Sequence, residues 1–145
     1  MKYLTLLFSA LFLATSCSSV PKTNNDIESA VITYEANTKG YYGKAIIQNK
    51  TVSYSKNRNS AEMKTKEISD SDWKNLAEEF KTINLDKISK LEAPTNQREY
   101  DGAAFANVRI TYKGTEYRSS TFDHGKPPAE IKNFINKIVS YLDGN

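Results

Sequence analysis

The sequence predicts an α+β fold, with an antiparallel sheet of four to six strands and two amphipathic helices packed on one face. Two observations predict it. Segments in which apolar and polar residues alternate follow one another across short turns, which is typical of hairpins and therefore of antiparallel strands. Two other segments repeat apolar residues every three or four positions, which is typical of helices with one apolar face.

Length and composition indicate one globular domain. The chain has 145 residues, of which 39% are hydrophobic and 26% charged, and both values are ordinary. Its net charge is only +3, and basic and acidic residues are interspersed along the chain. No nucleic-acid partner is expected, because proteins that bind nucleic acids concentrate positive charge on one surface.

Four strands are predicted in the first half of the chain, at residues 30–36, 41–48, 51–56 and 62–68. They are rich in β-branched residues or tyrosine, and turn-forming residues separate the first three. In the third strand Val52 and Tyr54 alternate with polar residues, so we expect one face to be buried and the other to be wet.

A helix is predicted next, beginning at Ser69 or Ser71, because either hydroxyl can cap its first turn. Asp70 and Asp72 favour the same start, since carboxylates stabilise the positive end of the helix dipole. Apolar residues then recur at helical spacing: Trp73, Leu76, Ala77, Phe80 and Ile83. We interpret Trp73 as a core anchor in preference to a ligand platform.

The clearest strand signal lies at residues 103–112, where a small or apolar residue occupies every second position. A tight turn at Lys113 and Gly114 leads into a partner strand at residues 115–122, so the two strands are predicted to form a hairpin.

A second helix is predicted after this hairpin. Pro127 or Pro128 suits its first turn, and Gly144 marks its end. Its apolar stripe has the spacing of one helix face: Ile131, Phe134, Ile135, Ile138, Val139 and Leu142.

The amino terminus has the pattern of a secretory leader. Lys2 supplies a positive charge, and residues 3–14 form an apolar run that is too short to span a bilayer core of about 30 Å. Such a run fits the central region of a signal peptide, here assigned to residues 1–16. Small residues follow it, and the only cysteine of the chain, Cys17, comes directly after them.

The segment Leu13-Ala14-Thr15-Ser16-Cys17 resembles the lipobox of bacterial lipoprotein precursors. The resemblance implies that the Cys17 thiol carries a diacylglyceryl group, that the leader is removed just before it, and that the new amino group is acylated with a fatty acid such as palmitate. Ser18 after the cysteine then implies the outer membrane, on its periplasmic or surface face. An ordinary secretory leader and a short uncleaved anchor are the alternatives.

Residues 17–27 are predicted to be the lipidated cysteine and a flexible tether, and residues 28–145 the single folded domain. The tether is polar and cannot bury enough surface to offset its ordering entropy. With one cysteine, no intramolecular disulfide can form. The partner implied by Cys17 is the lipid bilayer.

No catalytic or cofactor motif is recognised. The sequence lacks a Gly-rich phosphate loop, HExxH, a Cys-His metal spacing and G-x-S-x-G. The prediction is therefore a protein that is not an enzyme and has no cofactor. His124 with Asp123 and the nearby Ser119 and Ser120 suggests a hydrolase, but adjacent Asp and His residues along a chain usually point apart.

Two loops concentrate charge at one end of the predicted hairpin, and their residues are the candidate binding site: Arg98, Tyr100, Asp101, Asp123, His124 and Lys126. Because a hairpin brings its outer ends together, Asp101 and Asp123 are expected to lie near each other. The favoured interpretation is structural, with Arg98 neutralising one of the aspartates and the carboxylates capping backbone amides. A ligand site and a metal held by Asp101, Asp123 and His124 are the alternatives.

Nine tyrosines, with Tyr41 and Tyr42 adjacent, suggest carbohydrate or peptide binding, although strands also use tyrosine to fill a half-wet face.

The sequence therefore predicts a membrane-anchored, non-catalytic envelope lipoprotein that binds a protein or glycan partner through one sheet face or the Asp101/Asp123 loop end. Beyond the leader it resembles small lipoproteins of Gram-negative envelopes to which no activity is assigned. The alternative is an inhibitor of an extracellular protease or lysozyme, and a hydrolase that uses His124 is the third hypothesis.

Overall fold

The computed structural model describes residues 25–59 and 61–144, which form an antiparallel sheet with two helices on one face. The strands are β1 (Ala30–Thr38), β2 (Tyr41–Gln48), β3 (Thr51–Ser55), β4 (Lys64–Glu67), β5 (Phe105–Tyr112), β6 (Thr115–Arg118) and β7 (Phe122–Asp123). The helices are α1 (Asp70–Thr82) and α2 (Lys132–Leu142). The predicted α+β class is confirmed.

The sheet order is β4-β3-β2-β1-β5-β6, and β7 also pairs with β5. Along the order β4 to β6, neighbouring strands follow one another in the chain except β1 and β5, which lie side by side although α1 separates them in sequence. The turn between β2 and β3 and the predicted turn between β5 and β6 have the left-handed backbone of type I′ turns. Their φ values are 50° and 60° at Asn49 and Lys50, and 48° and 81° at Lys113 and Gly114.

One face of the sheet carries the core. The buried strand residues alternate with more exposed ones, as at Ile32 and Tyr34 in β1 and at Val108 and Ile110 in β5. Both helices bury their predicted apolar stripes against this face, and Tyr141, which the predicted stripe omits, is buried as well. The opposite face, which we call the open face, has no layer packed over its centre among the described residues.

Local contacts fix how α1 begins. The Ser69 hydroxyl accepts a hydrogen bond from the Asp72 backbone N–H at 3.2 Å, as the capping pattern predicts. Trp73 is 8% exposed and its indole N–H donates to Glu28 Oε1 at 2.6 Å, so it is a core anchor. Asp72 also joins Lys137 of α2 at 2.8 Å, which ties the two helices together.

The start of the domain differs from the prediction. The signal peptide, Cys17 and most of the predicted tether lie outside the described residues. The tether's last three residues, however, contact the domain: Asn25 donates to the Ile83 carbonyl at 2.8 Å, the Asp26 N–H donates to Tyr112 Oη, and Ile27 is 3% exposed. The polar composition of the segment hides these contacts, because two of them use an amide and a backbone group.

The strand predicted at residues 115–122 is interrupted by a β-bulge. Between the pairs Arg109–Arg118 and Ala106–Phe122, β5 advances by three residues and its partner by four. Inside the bulge the Ser119 hydroxyl accepts the Val108 N–H at 3.0 Å and so replaces a ladder acceptor. Because of the extra residue, the Phe122 side chain points into the core and the side chain of its neighbour Asp123 points to the other side of the strand.

The second helix also begins later than predicted. Pro128 caps a 3-10 turn, Ala129–Ile131, and α2 starts after it. Gly144 follows the helix end with a φ of 87°, which suits glycine.

Candidate binding site at one end of the sheet

The predicted loop-end site is divided between two sides of the sheet. Asp123 pairs with Phe105, whose side chain projects from the open face, whereas the next residue, His124, packs its ring against Tyr34 and Tyr41 on the core face. Adjacent residues of an extended segment point to opposite sides of a sheet. Asp123 is the last residue of β7, so its side chain and that of His124, the next residue, point to opposite sides.

Asp123 is completely buried and accepts hydrogen bonds from one loop. Thr95 donates its hydroxyl, the backbone N–H groups of Gln97 and Arg98 donate at 2.8 and 3.0 Å, and Arg98 Nη1 donates at 2.9 Å. Burial raises the pKa of the Asp123 carboxyl, but these hydrogen bonds outweigh burial and hold that pKa well below its usual range. Both oxygens are engaged, as the structural interpretation of this aspartate predicts.

The other predicted residues surround this carboxylate without sharing one site. Asp101 is exposed and ends the 3-10 turn Gln97–Tyr100 in a left-handed conformation, with a φ of 60°. Tyr100 is 66% exposed and its hydroxyl donates to Asn96, while Lys126 Nζ donates to Gln97 Oε1 at 3.4 Å. Of the six predicted residues, only Arg98 and Asp123 are joined by a side-chain hydrogen bond.

His124 belongs to an aromatic cluster at the edge of the core. Its Nδ1 lies 2.7 Å from Tyr34 Oη, and the Tyr41 ring centroid lies 4.6 Å from that of the imidazole. Burial lowers the pKa of His124, while Asp143 raises it and Lys56 lowers it further. Burial likewise raises the pKa of the Tyr34 hydroxyl. Both partners are therefore neutral at neutral pH, and neutral forms can share this hydrogen bond.

The Tyr41 side chain lies close to Gly43 of the same strand. A Cβ at Gly43 would lie 2.9 Å from Tyr41 Oη, so only glycine leaves room for the ring there. The Tyr41 hydroxyl is shielded from solvent and has no hydrogen-bond partner in the described part of the chain. Tyr41 therefore has a packing role, in contrast to Tyr42, which points to the open face.

The described residues do not assemble the suggested Ser-His-Asp set. The Ser119 hydroxyl donates to the Ser120 carbonyl at 2.8 Å, and the Ser120 hydroxyl donates to the Leu91 carbonyl. Asp123 is bound to the loop and His124 to Tyr34, so no two of these side chains bond each other. Nor do three or more His, Cys, Asp or Glu side chains gather at a possible metal site within residues 25–59 and 61–144.

A feature that the sequence analysis did not identify lies on the open face at the same end. Tyr42, Asn37 and Phe105 stand side by side across β2, β1 and β5, because Asn37 pairs with both of the others. The Arg58 guanidinium lies 5.9 Å from the centre of the Tyr42 ring and donates to Asn37 Oδ1. We call these four residues the aromatic row.

The aromatic row is continued by the loop above Asp123. Phe105 is 46% exposed and Tyr100 is 66% exposed, and within the described ranges no other large hydrophobic side chain is as exposed. Both flank Asp123, Phe105 as its strand partner and Tyr100 as part of the turn that binds its carboxylate. Strand alternation alone could not reveal this grouping, because it depends on which strands are neighbours.

A cavity of about 570 Å³ opens elsewhere, between the end of β3 and the end of α2. Its lining includes Tyr54, Met63 and Leu142, and the ion pair of Lys56 with Asp143, at 3.1 Å, lies beside it. None of the six predicted site residues lines this cavity.

No helix among the described residues has the length and apolar character needed to cross a bilayer. Comparison with family models, with curated proteins and with solved structures found no match to this chain.

Proposed function

We propose that the protein is a membrane-anchored envelope lipoprotein whose domain binds a protein partner through the open face, at the aromatic row. The observation that carries this proposal is the grouping of the half-buried Tyr42 and the exposed Phe105 with Arg58 on an uncovered sheet face. Aromatic residues and arginine are the residue types enriched in the energetically dominant parts of protein interfaces.

The shape of the surface favours a protein over a small molecule. The aromatic row lies across three adjacent strands, which are about 4.8 Å apart, so its ends are separated by about 10 Å on a sheet surface. Small-molecule sites are usually concave pockets that bury most of the ligand. A glycan stacking on Tyr42 and Phe105 is the other outcome that the test distinguishes.

The anchor is the part of the proposal that rests on the lipobox resemblance. If Cys17 carries acyl chains, two or more of them hold a protein stably at a bilayer. Intact mass spectrometry of the native protein should give a chain that begins at Cys17 and carries the diacylglyceryl mass. A retained leader, or a free thiol at Cys17, would refute the anchor.

Site-specific photo-crosslinking tests the binding surface. A photoreactive residue at Phe105 of the full-length chain, in the cells that make it, should give a covalent protein adduct. The same residue at Lys74, an exposed position on α1, is the matched control and should not. Added unlabelled full-length chain should compete for the adduct. Equal adducts at both positions, or a glycan adduct at Phe105, would contradict the proposal.

Inhibition of an extracellular protease or lysozyme is the second candidate, because the loop carrying Tyr100 is held by the buried Asp123 carboxylate. A loop ordered before binding loses little entropy when it enters a cleft. The protein should then inhibit at least one enzyme of a protease and lysozyme panel, and Tyr100→Ser should weaken the inhibition. An unaffected panel would remove this candidate.

A further inference from the structure

Two arginines face each other on the open face. Arg109 of β5 lies directly opposite Arg118 of β6 in the strand register, and the neighbours of Arg109 along β5, Val108 and Ile110, point into the core. Like charges directly opposite each other destabilise a sheet. The register therefore places two positive charges directly opposite each other on this face.

Neither guanidinium forms an ion pair within the described part of the domain. Five ion pairs join side chains within residues 25–59 and 61–144, and none of them includes Arg109 or Arg118. The Nε atom of Arg109 is shielded from solvent and has no hydrogen-bond partner among the same residues. A shielded N–H without an acceptor is costly, so the fold by itself leaves this guanidinium incompletely satisfied.

The surroundings select the kind of anion. Glu35 and Glu116 occupy diagonal positions next to Arg109 on the same face, since they pair with Asn107 and Thr111. Diagonal neighbours in a sheet lie about 7–8 Å apart. The charges of the two glutamates and the two arginines offset each other, so the face is expected to accept a single negative charge, as of a carboxylate, better than a more highly charged group.

We propose that Arg109 and Arg118 bind a carboxylate side chain of an acidic segment of the protein partner. This inference rests on the proposed function and extends it. Arg109 lies four residues along β5 from Phe105, a distance of about 13 Å at about 3.3 Å per residue. An extended segment with an acidic residue four positions from an apolar one can reach the arginines and the aromatic row together.

A labelled peptide with one glutamate four positions from a phenylalanine is the probe, measured by fluorescence anisotropy against the full-length chain in nonionic detergent. The double variant Arg109→Gln/Arg118→Gln should bind the peptide at least about tenfold more weakly, since it loses charge-assisted hydrogen bonds. The control variant Lys44→Gln/Lys66→Gln removes the same charge from β2 and β4, which do not border β5 or β6, and should bind like the parent.

Three results would overturn the inference: equal peptide binding by the parent and the arginine variant, stronger competition by inorganic phosphate than by free glutamate, or a lower melting temperature of the arginine variant, which would indicate a structural role. The test is separable from that of the proposed function. A Phe105 adduct without arginine-dependent peptide binding refutes only the arginine site. Arginine-dependent binding without the adduct refutes only the proposed surface at the aromatic row.

Discussion

Asp123 and the pair formed by Arg109 and Arg118 are charged groups of the same antiparallel ladder, but they have opposite surroundings. Asp123 is completely buried and each of its oxygens accepts hydrogen bonds from one loop. The arginines face each other, and Arg109 keeps a shielded N–H without a partner in the described chain. A charge whose bonds are all made inside the domain holds the fold, whereas charges left unmatched on an open face are available to a partner.

Removal of the Asp123 carboxylate should have the largest effect on stability. Asp123→Ala leaves Arg98 and two loop N–H groups without their acceptor, and the loss of one member of a buried ion pair typically costs about 3–5 kcal/mol. Urea unfolding at pH 7 should show a free energy of unfolding lower by about 3 kcal/mol. Asp101→Ala, at an exposed aspartate of the same loop, should change it by less than about 0.5 kcal/mol. Equal effects would refute the structural role of Asp123.

The bulge should be the next most sensitive position. Ser119→Ala removes the acceptor of the Val108 N–H, which lies on a fully buried residue. An unsatisfied buried donor costs about 1–3 kcal/mol, so we expect a loss near the middle of that range. Ser53→Ala, on the open face of β3, is the matched control. A neutral Ser119→Ala would mean that another group or water replaces the hydroxyl.

These two positions show the limit of the sequence prediction. Periodicity predicted the strands and both helices because burial on one face leaves a repeat of two or of about 3.6 residues. A bulge adds a single residue and leaves no such repeat, so the shift that buries Phe122 and turns Asp123 over was not predictable. The hairpin prediction nevertheless placed the loops before Ala103 and after Phe122 at one end of the sheet.

The binding surface was harder to predict for a different reason. The grouping of Tyr42 with Phe105 requires β1 to lie between β2 and β5, and the pairing of Arg109 with Arg118 requires the register of the hairpin. Strand order and register arise from contacts between distant parts of the chain. The predicted site residues were chosen from loop composition, which included Tyr100 but not Tyr42 or Phe105, because the latter two lie in strands.

The His124 cluster should make stability depend on pH. Its neighbours with ionisable groups are Tyr34 from β1, Tyr41 from β2, Lys56 after β3 and Asp143 after α2. Because burial lowers the pKa of His124 in the folded state, the unfolded chain binds a proton first as the pH falls below about 6.5, and stability is lost. The stability that the ionised Asp123 carboxylate contributes is instead complete above about pH 4 and decreases only as the pH falls below that value.

The melting temperature of the parent should therefore fall more than that of His124→Gln between pH 7 and pH 5. The variant keeps a side chain that can hydrogen-bond to Tyr34 but cannot titrate. Asp123 is fully ionised across this window in both proteins and cancels from the comparison. Parallel melting curves would contradict the lowered pKa of His124.

The smallest effect on stability is expected at the arginines. Arg109→Gln/Arg118→Gln should leave the free energy of unfolding unchanged or raise it by less than about 1 kcal/mol, because opposed like charges in a sheet cost no more than that. Urea unfolding at low ionic strength should reveal this increase best, since salt screens the repulsion between the two arginines. A decrease of more than about 1 kcal/mol in the free energy of unfolding would mean that the arginines stabilise the fold, as Asp123 does.

The most direct test of the open face as a binding surface uses one variant, Tyr42→Ser/Tyr100→Ser, that retains the photoreactive residue at position 105. Its free energy of unfolding and its yield of the crosslinked protein adduct are both compared with those of the parent. Tyr42 is half-buried and Tyr100 is exposed, so both lie outside the buried core. We predict an unfolding free energy within about 1 kcal/mol of the parent and loss of the protein adduct. A stable variant that still forms the adduct at the parent's yield would contradict the account.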